Sequence, residues 1–173
     1  MKSGKKLEKK SKKTLKKKKL SSNITTIILI LIFLVGLSVM LYPTVSNYVN
    51  QRHQSKAIAA YDEKVSEMKP EDYTKYYKKL AKNPSAFYNP DEIKGYEKIL
   101  DISGTGIMGY ITIKKLGVEL PIYHGTDEGI LQIAAGHLKG TSFPVGGDST
   151  HSVISAHRGL PSAKLFTDLD KME

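Results

Sequence analysis

Three patterns of apolar positions divide the chain. Residues 24–42 read Ile-Thr-Thr-Ile-Ile-Leu-Ile-Leu-Ile-Phe-Leu-Val-Gly-Leu-Ser-Val-Met-Leu-Tyr, without a charge. As a helix rising 1.5 Å per residue this run is roughly 28 Å long, close to the ~30 Å hydrocarbon core of a bilayer. A soluble core helix of that length would keep a polar face, and this one has none. A cleaved signal peptide has a shorter apolar stretch followed by a small-residue cleavage site, which Leu41-Tyr42-Pro43-Thr44 does not offer. The run is therefore expected to be a retained, single-pass signal anchor.

From residue 46 to 82 the apolar residues recur at roughly helical spacing. Tyr48, Ile58, Tyr61, Val65, Met68, Tyr73, Tyr76, Tyr77 and Leu80 stand among Lys, Glu, Gln and Ser. This predicts a solvated helical stalk, broken into two helices at Pro70. Between Lys82 and Asp91 two Asn-Pro steps flank Phe87 and Tyr88, which predicts a turn-rich loop. Its aromatics either pack back on the domain or rest as a flap over a groove.

Past residue 98 the period becomes two. Ile99–Ile102, Ile107–Ile113 and Val118–Tyr123 read as short strands punctuated by Gly104, Gly106 and Gly117, with Lys114–Gly117 as a hairpin link. Asp127 to Ala135 reads as a short helix, capped by Thr126 or Asp127 and ended by Gly136. A Gly- and Ser-rich loop spans 141–150. His151–Ala156 reads as another strand, and 163–170 as a helical turn on the surface. The fold class is mainly β, a barrel or sandwich. About 75 residues follow residue 98, a marginal length for a closed barrel. The expected divisions are a basic tail (1–23), an anchor (24–42), a stalk with its loop (43–98) and a truncated β domain (99–173).

Charge adds an orientation. The net charge of +10 lies in the tail: residues 1–20 hold 11 of the 27 basic side chains and one acid, Glu8. Positive flanks stay in the cytoplasm, where each lysine near an anionic leaflet is worth on the order of 1 kcal/mol. The N-terminus is expected inside and everything from Pro43 onward outside the plasma membrane, with the lipid bilayer as a partner. A basic patch confined to a tail beside a membrane span does not indicate nucleic acid. There are no cysteines, which excludes disulfides, thiolate metal sites and a cysteine nucleophile within these residues.

Ile111-Thr-Ile-Lys-Lys-Leu-Gly-Val-Glu-Leu-Pro-Ile-Tyr-His-Gly-Thr126 resembles the opening strand pair of sortases. Gly136-His-Leu-Lys-Gly-Thr-Ser-Phe-Pro-Val-Gly-Gly147, His151-Ser-Val-Ile-Ser-Ala-His-Arg-Gly-Leu-Pro161 and Ser162–Asp170 resemble the class C, pilin-polymerising branch. The resemblance implies an eight-stranded sortase β-barrel, incomplete here, preceded by the transmembrane helix and helical stalk. It implies a cysteine transpeptidase that cleaves an LPxTG-like sorting signal on a pilin or surface protein. The acyl group would pass to a lysine amine or a cell-wall precursor. The family's essential histidine falls on His157. An imidazole titrating near neutral pH suits the role of acid and base toward the leaving and incoming amines. The family's cysteine and its late-strand arginine have no counterpart in these residues, and Arg158 does not take over the arginine's role. The family's Asp-Pro-aromatic lid is matched only by Asn83-Pro84-Ser85 and Asn89-Pro90-Asp91. No cofactor or metal is implied.

Other chemistries fit less well. The spacings among His124, His137, His151 and His157 put no two on one helical turn, although His151 and His157 would share a strand face. Ser152 or Ser155 with His157 could suggest a serine hydrolase, but no Gly-x-Ser-x-Gly elbow is present. The alternative from another class is a catalytically inactive sortase remnant or a membrane-tethered binding protein.

Overall fold

The computed structural model describes residues 2–71, 74, 78 and 95–172, with side chains inside the first helix from Asn23 onward. The loop expected at 83–91, with Phe87 and Tyr88, lies outside the described residues, as do Tyr73, Tyr76, Tyr77 and Leu80. Two compact units divide at Tyr42/Pro43.

Helix α1 runs Lys2–Glu67. Its part in the first unit carries the apolar run, exposed along its length: Ile32 is 63% and Phe33 66% exposed. The helix is long and apolar enough to cross a membrane. Ser38 returns its hydroxyl to the Leu34 carbonyl at 2.8 Å, so a polar side chain is satisfied within the run. After Glu67 the helix stops and helical backbone resumes at Pro70, whose fixed φ suits a first turn.

In the second unit, the 47–61 part of α1 is packed against the β structure, so it is no solvated spacer. Asn47, Asn50, Gln54, Ile58 and Tyr61 lie on one face by their three- and four-residue spacing. Ile58 and Tyr61 are buried. Asn50 Nδ2 donates to the Ser162 carbonyl at 2.9 Å and Gln54 Nε2 to that of Ile133 at 2.6 Å. The Tyr61 hydroxyl donates to the Met108 carbonyl, and its ring meets Tyr110 edge-on. The Lys164 amide donates to Asn47 Oδ1. Polar side chains thus dock the helix onto backbone groups.

The sheet is open and four-stranded, in the order β1-β2-β3-β4. Strands β1 (Ile107–Ile113) and β2 (Val118–His124) pair antiparallel, with a bulge at Met108. Lys114–Leu116 forms a 3₁₀ turn between them, closed by Gly117 at φ 60°. Strand β3 (Ala135–His137) lies parallel to β2, and β4 (Ile154–Ser155) antiparallel to β3. The eight-stranded closure implied by the resemblance is not what these residues form.

Several elements differ from expectation. Residues 99–102 are a turn, because Leu100 takes a left-handed conformation (φ 66°) that buries its side chain, and Asp101 Oδ1 accepts the Gly106 amide at 3.0 Å. The helix after Asp127 is only Glu128–Leu131 (α2). Gly136 sits mid-strand instead of ending it: a Cβ there would lie 2.2 Å from the Gly125 carbonyl oxygen, so only glycine lets β3 approach. His151–Val153 is tied to the 138–142 loop through Leu138 N to Val153 O, Ser142 N to His151 O and Val153 N to Thr141 Oγ1. That leaves two residues of ladder, and His151 and His157 share no strand face. The 163–166 stretch is no surface turn: Lys164 is exposed, but Ala163, Leu165 and Phe166 join Tyr96, Leu100, Met108, Val118, Leu120, Ile122, Ala135 and Phe143 in the core. Each large apolar side chain buried there contributes about 1.5–3 kcal/mol.

Candidate active site

His157 follows β4 by two residues. Its backbone is pinned from the C-terminal turns: the Phe166 amide donates to the His157 carbonyl at 3.1 Å, and the Gly159 amide to Thr167 Oγ1 at 3.0 Å. The ring stays partly open, with the side chain 33% exposed, and its Nε2 lies 3.2 and 3.3 Å from the two carboxylate oxygens of Glu128. Glu128 opens α2, and Gln132, one turn on, donates its Nε2 to Glu128 Oε1 at 3.0 Å. The Gln132 amide foremost, and then His157, hold the Glu128 carboxyl below its ordinary range. Glu128 and Gln132 were not singled out by the sequence. The contact with His157 joins residues 29 apart, and no local pattern signals it.

Arg158 points its guanidinium to Asp170 at 2.9 Å, with both side chains exposed. Among the described residues no hydrogen bond joins His157 to Ser152 or Ser155, and no group of three His, Cys, Asp or Glu side chains could hold a metal ion.

The two buried histidines, His124 and His137, are structural. His124 sets its ring nitrogens against the Gly106 and Ile99 carbonyls at 3.1 and 2.6 Å. His137 is wholly buried. Its Nε2 donates to the Ser142 carbonyl at 2.9 Å, and that leaves Nδ1 as an acceptor. The Tyr96 hydroxyl shares its one proton between Nδ1 at 2.8 Å and the His137 carbonyl at 2.9 Å. The Tyr96 oxygen in turn accepts the Gly125 amide at 3.1 Å. Burial pushes His137 below its ordinary value and the Tyr96 phenol up to about 12.

The sortase-domain family profile matches residues 111–173, the span that holds β2, the parallel β3, β4 and the histidine pinned just after it. The chain belongs to the sortase family, on its class C side. It is similar to sortase C1 of Streptococcus agalactiae, at 45% identity and a TM-score of 0.61, over 68% of this chain and 65% of that one. It is also similar to sortase C of Streptococcus pneumoniae, at 39% identity and a TM-score of 0.59, over 68% and 64% of the two chains. Sortase C-1 of Actinomyces oris follows at 35% identity and a TM-score of 0.53, over 60% and 64%. The chain thus spans a little under two thirds of the length of these solved relatives. No curated protein matches it significantly.

Proposed function

We propose that residues 1–173 are the membrane-anchored front part of a class C sortase, carrying the acid/base histidine of a transpeptidase that joins pilin or surface proteins. The observation that carries this reading is His157, partly open and pinned just past β4 within the span that matches the sortase domain. The substrate would be a pilin, in line with the pilin substrate specificity of the S. pneumoniae relative, or a surface protein. The LPxTG-like sorting signal is what the resemblance to the family implies. The acceptor would be a lysine amine or a cell-wall precursor. Tail, anchor, stalk and β domain would divide at 23, 42 and 98. The lysine-rich tail facing the cytoplasm and the apolar run of α1 support a plasma-membrane location with the sheet outside.

The reaction divides into two acyl transfers. A thiolate attacks the sorting-signal carbonyl while an imidazolium protonates the departing amine; the imidazole then deprotonates the incoming amine as the thioester opens. These residues supply the imidazole and contain no cysteine, so the thiol must come from sequence other than residues 1–173. The lack of cysteine also favours a second reading, in which the protein is an inactive, membrane-tethered relative that retains the fold.

One experiment separates the two. The entire reading frame containing residues 1–173 is sequenced through and beyond the Glu173 codon, and its product is assayed with an LPxTG-type peptide and an amine acceptor. A frame that encodes a strand ending in Thr-Cys and transfers the peptide, with transfer abolished by His157→Ala, supports the transpeptidase. A thiol-free product that leaves the peptide intact overturns it in favour of the inactive reading.

A further inference from the structure

We propose that Glu128 is a positioning residue for His157: its carboxylate takes the Nε2–H, which leaves Nδ1 as the nitrogen that exchanges protons with the reacting groups. The inference rests on the reading of His157 as the acid/base residue and adds to it which nitrogen works and what holds the other. An ionised carboxylate only accepts hydrogen bonds. Its two oxygens at 3.2 and 3.3 Å from Nε2 therefore require the proton on Nε2. Among the described residues His157 Nδ1 has no hydrogen-bond partner, so in the neutral ring it carries a free lone pair. When Nδ1 takes a proton the ring becomes a cation, and the carboxylate stabilises that charge in place. The same proton leaves from Nδ1 to the departing amine, and Nε2–H never dissociates.

The carboxylate is itself held. Glu128 begins α2 directly after Asp127, and Gln132 donates to Oε1 from the next turn. The His157 backbone is fixed by the Phe166 amide, which donates to its carbonyl. Both partners of the contact are thus carried on constrained backbone, although Glu128 itself is 67% exposed. A pair this open adds little stability, so its consequence is to be read in the ring and not in a melting curve.

The test has two arms. The full chain, labelled with ¹⁵N-histidine in detergent micelles, reports the neutral tautomer of His157 by long-range proton–nitrogen correlation. Nε2–H is expected to dominate, with the Nδ1–H form rising several-fold in Glu128→Ala and staying low in Glu128→Gln, which keeps an acceptor. In the product of the entire reading frame, Glu128→Ala and Glu128→Gln are each expected to lower kcat roughly tenfold with KM unchanged. That is far below the loss for a buried triad carboxylate, because this pair is open to solvent. An unchanged tautomer ratio in Glu128→Ala, or an unchanged kcat, overturns the proposal. Full transfer by His157→Ala would instead sink the reading of His157 as acid/base, whatever the tautomer shows.

Discussion

His137 and His157 stand twenty residues apart on the same small sheet unit and have opposite environments. His137 is wholly buried, with both ring nitrogens committed to Tyr96 and Ser142. Its ring stacks on Phe143 with centroids 5.7 Å apart. His157 is one-third exposed, and only its Nε2 is engaged, by an open carboxylate. A histidine with every donor and acceptor matched inside a core is a joint, and its proton cannot move without a structural cost. One with a nitrogen left uncommitted at the surface can exchange protons freely. The difference teaches that partner count and burial, not residue type, separate a structural histidine from a candidate for chemistry.

The largest effect is expected from breaking the close approach beneath His137. In Gly136→Ala the new methyl would sit 2.2 Å from the Gly125 carbonyl oxygen, which is backbone and cannot swing aside. Strand β3 would have to leave β2, taking His137 with it. Overpacking of this kind costs about 1–3 kcal/mol or more, and here it also removes ladder bonds. Near-ultraviolet circular dichroism of the full chain in micelles should show loss of the fixed tyrosine signal. A native spectrum would mean that the sheet tolerates separation at this point.

Tyr96→Phe comes next. It leaves the Gly125 amide, the His137 carbonyl and His137 Nδ1 without their partner while keeping the ring against Phe143. Each buried polar group left unsatisfied costs about 1–3 kcal/mol, so thermal unfolding should fall by several degrees at least. A shift within error would show that water makes good the loss.

Acid should act on the same joint. Burial depresses His137 relative to its value of 6.5 in the unfolded chain. Between that value and the lower folded one the unfolded state binds more protons, so stability is fully present above about 6.5 and falls as pH drops through the window. Among the described residues, its charged or titratable neighbours are the Tyr96 phenol, the His124 ring, and Lys139, whose ammonium lies over the Tyr96 ring. Denaturant midpoints at several pH values should therefore decline on acidification in the native chain and flatten in His137→Gln. An equal decline in that variant would assign the acid sensitivity elsewhere.

How much of this contrast could be read in the sequence follows from range. Strands β1 and β2 were legible because alternation and Gly117 are local signals, and their observed bounds agree with the expectation to within a residue. The run 99–102 alternates equally well, yet it becomes a turn through a side-chain bond from Asp101 to Gly106 and a left-handed Leu100. The 127–135 helix was cut short because Gly136 permits a parallel pairing whose partner strand lies upstream, and helical periodicity carries no information about that. His157 was singled out only through family resemblance. Its composition and spacing did not distinguish it from His137, and the partner that does distinguish it, Glu128, is remote in sequence.

The smallest effect sharpens the comparison most. Glu128→Ala removes the only side chain that holds the His157 ring among the described residues, as Tyr96→Phe removes a partner of His137. The Glu128 carboxyl lies below its ordinary value of 4.5 through Gln132 and His157. Any stability it adds is therefore present above that value and lost as pH falls through the lower folded one. Solvent screens a pair this exposed, so the native chain and Glu128→Ala should melt together at neutral pH and at pH 4 alike. A drop of several degrees at neutral pH would make the His157 contact a joint like that of His137. Coincident melts beside a changed His157 tautomer would show that the carboxylate governs where one proton sits without holding the fold together.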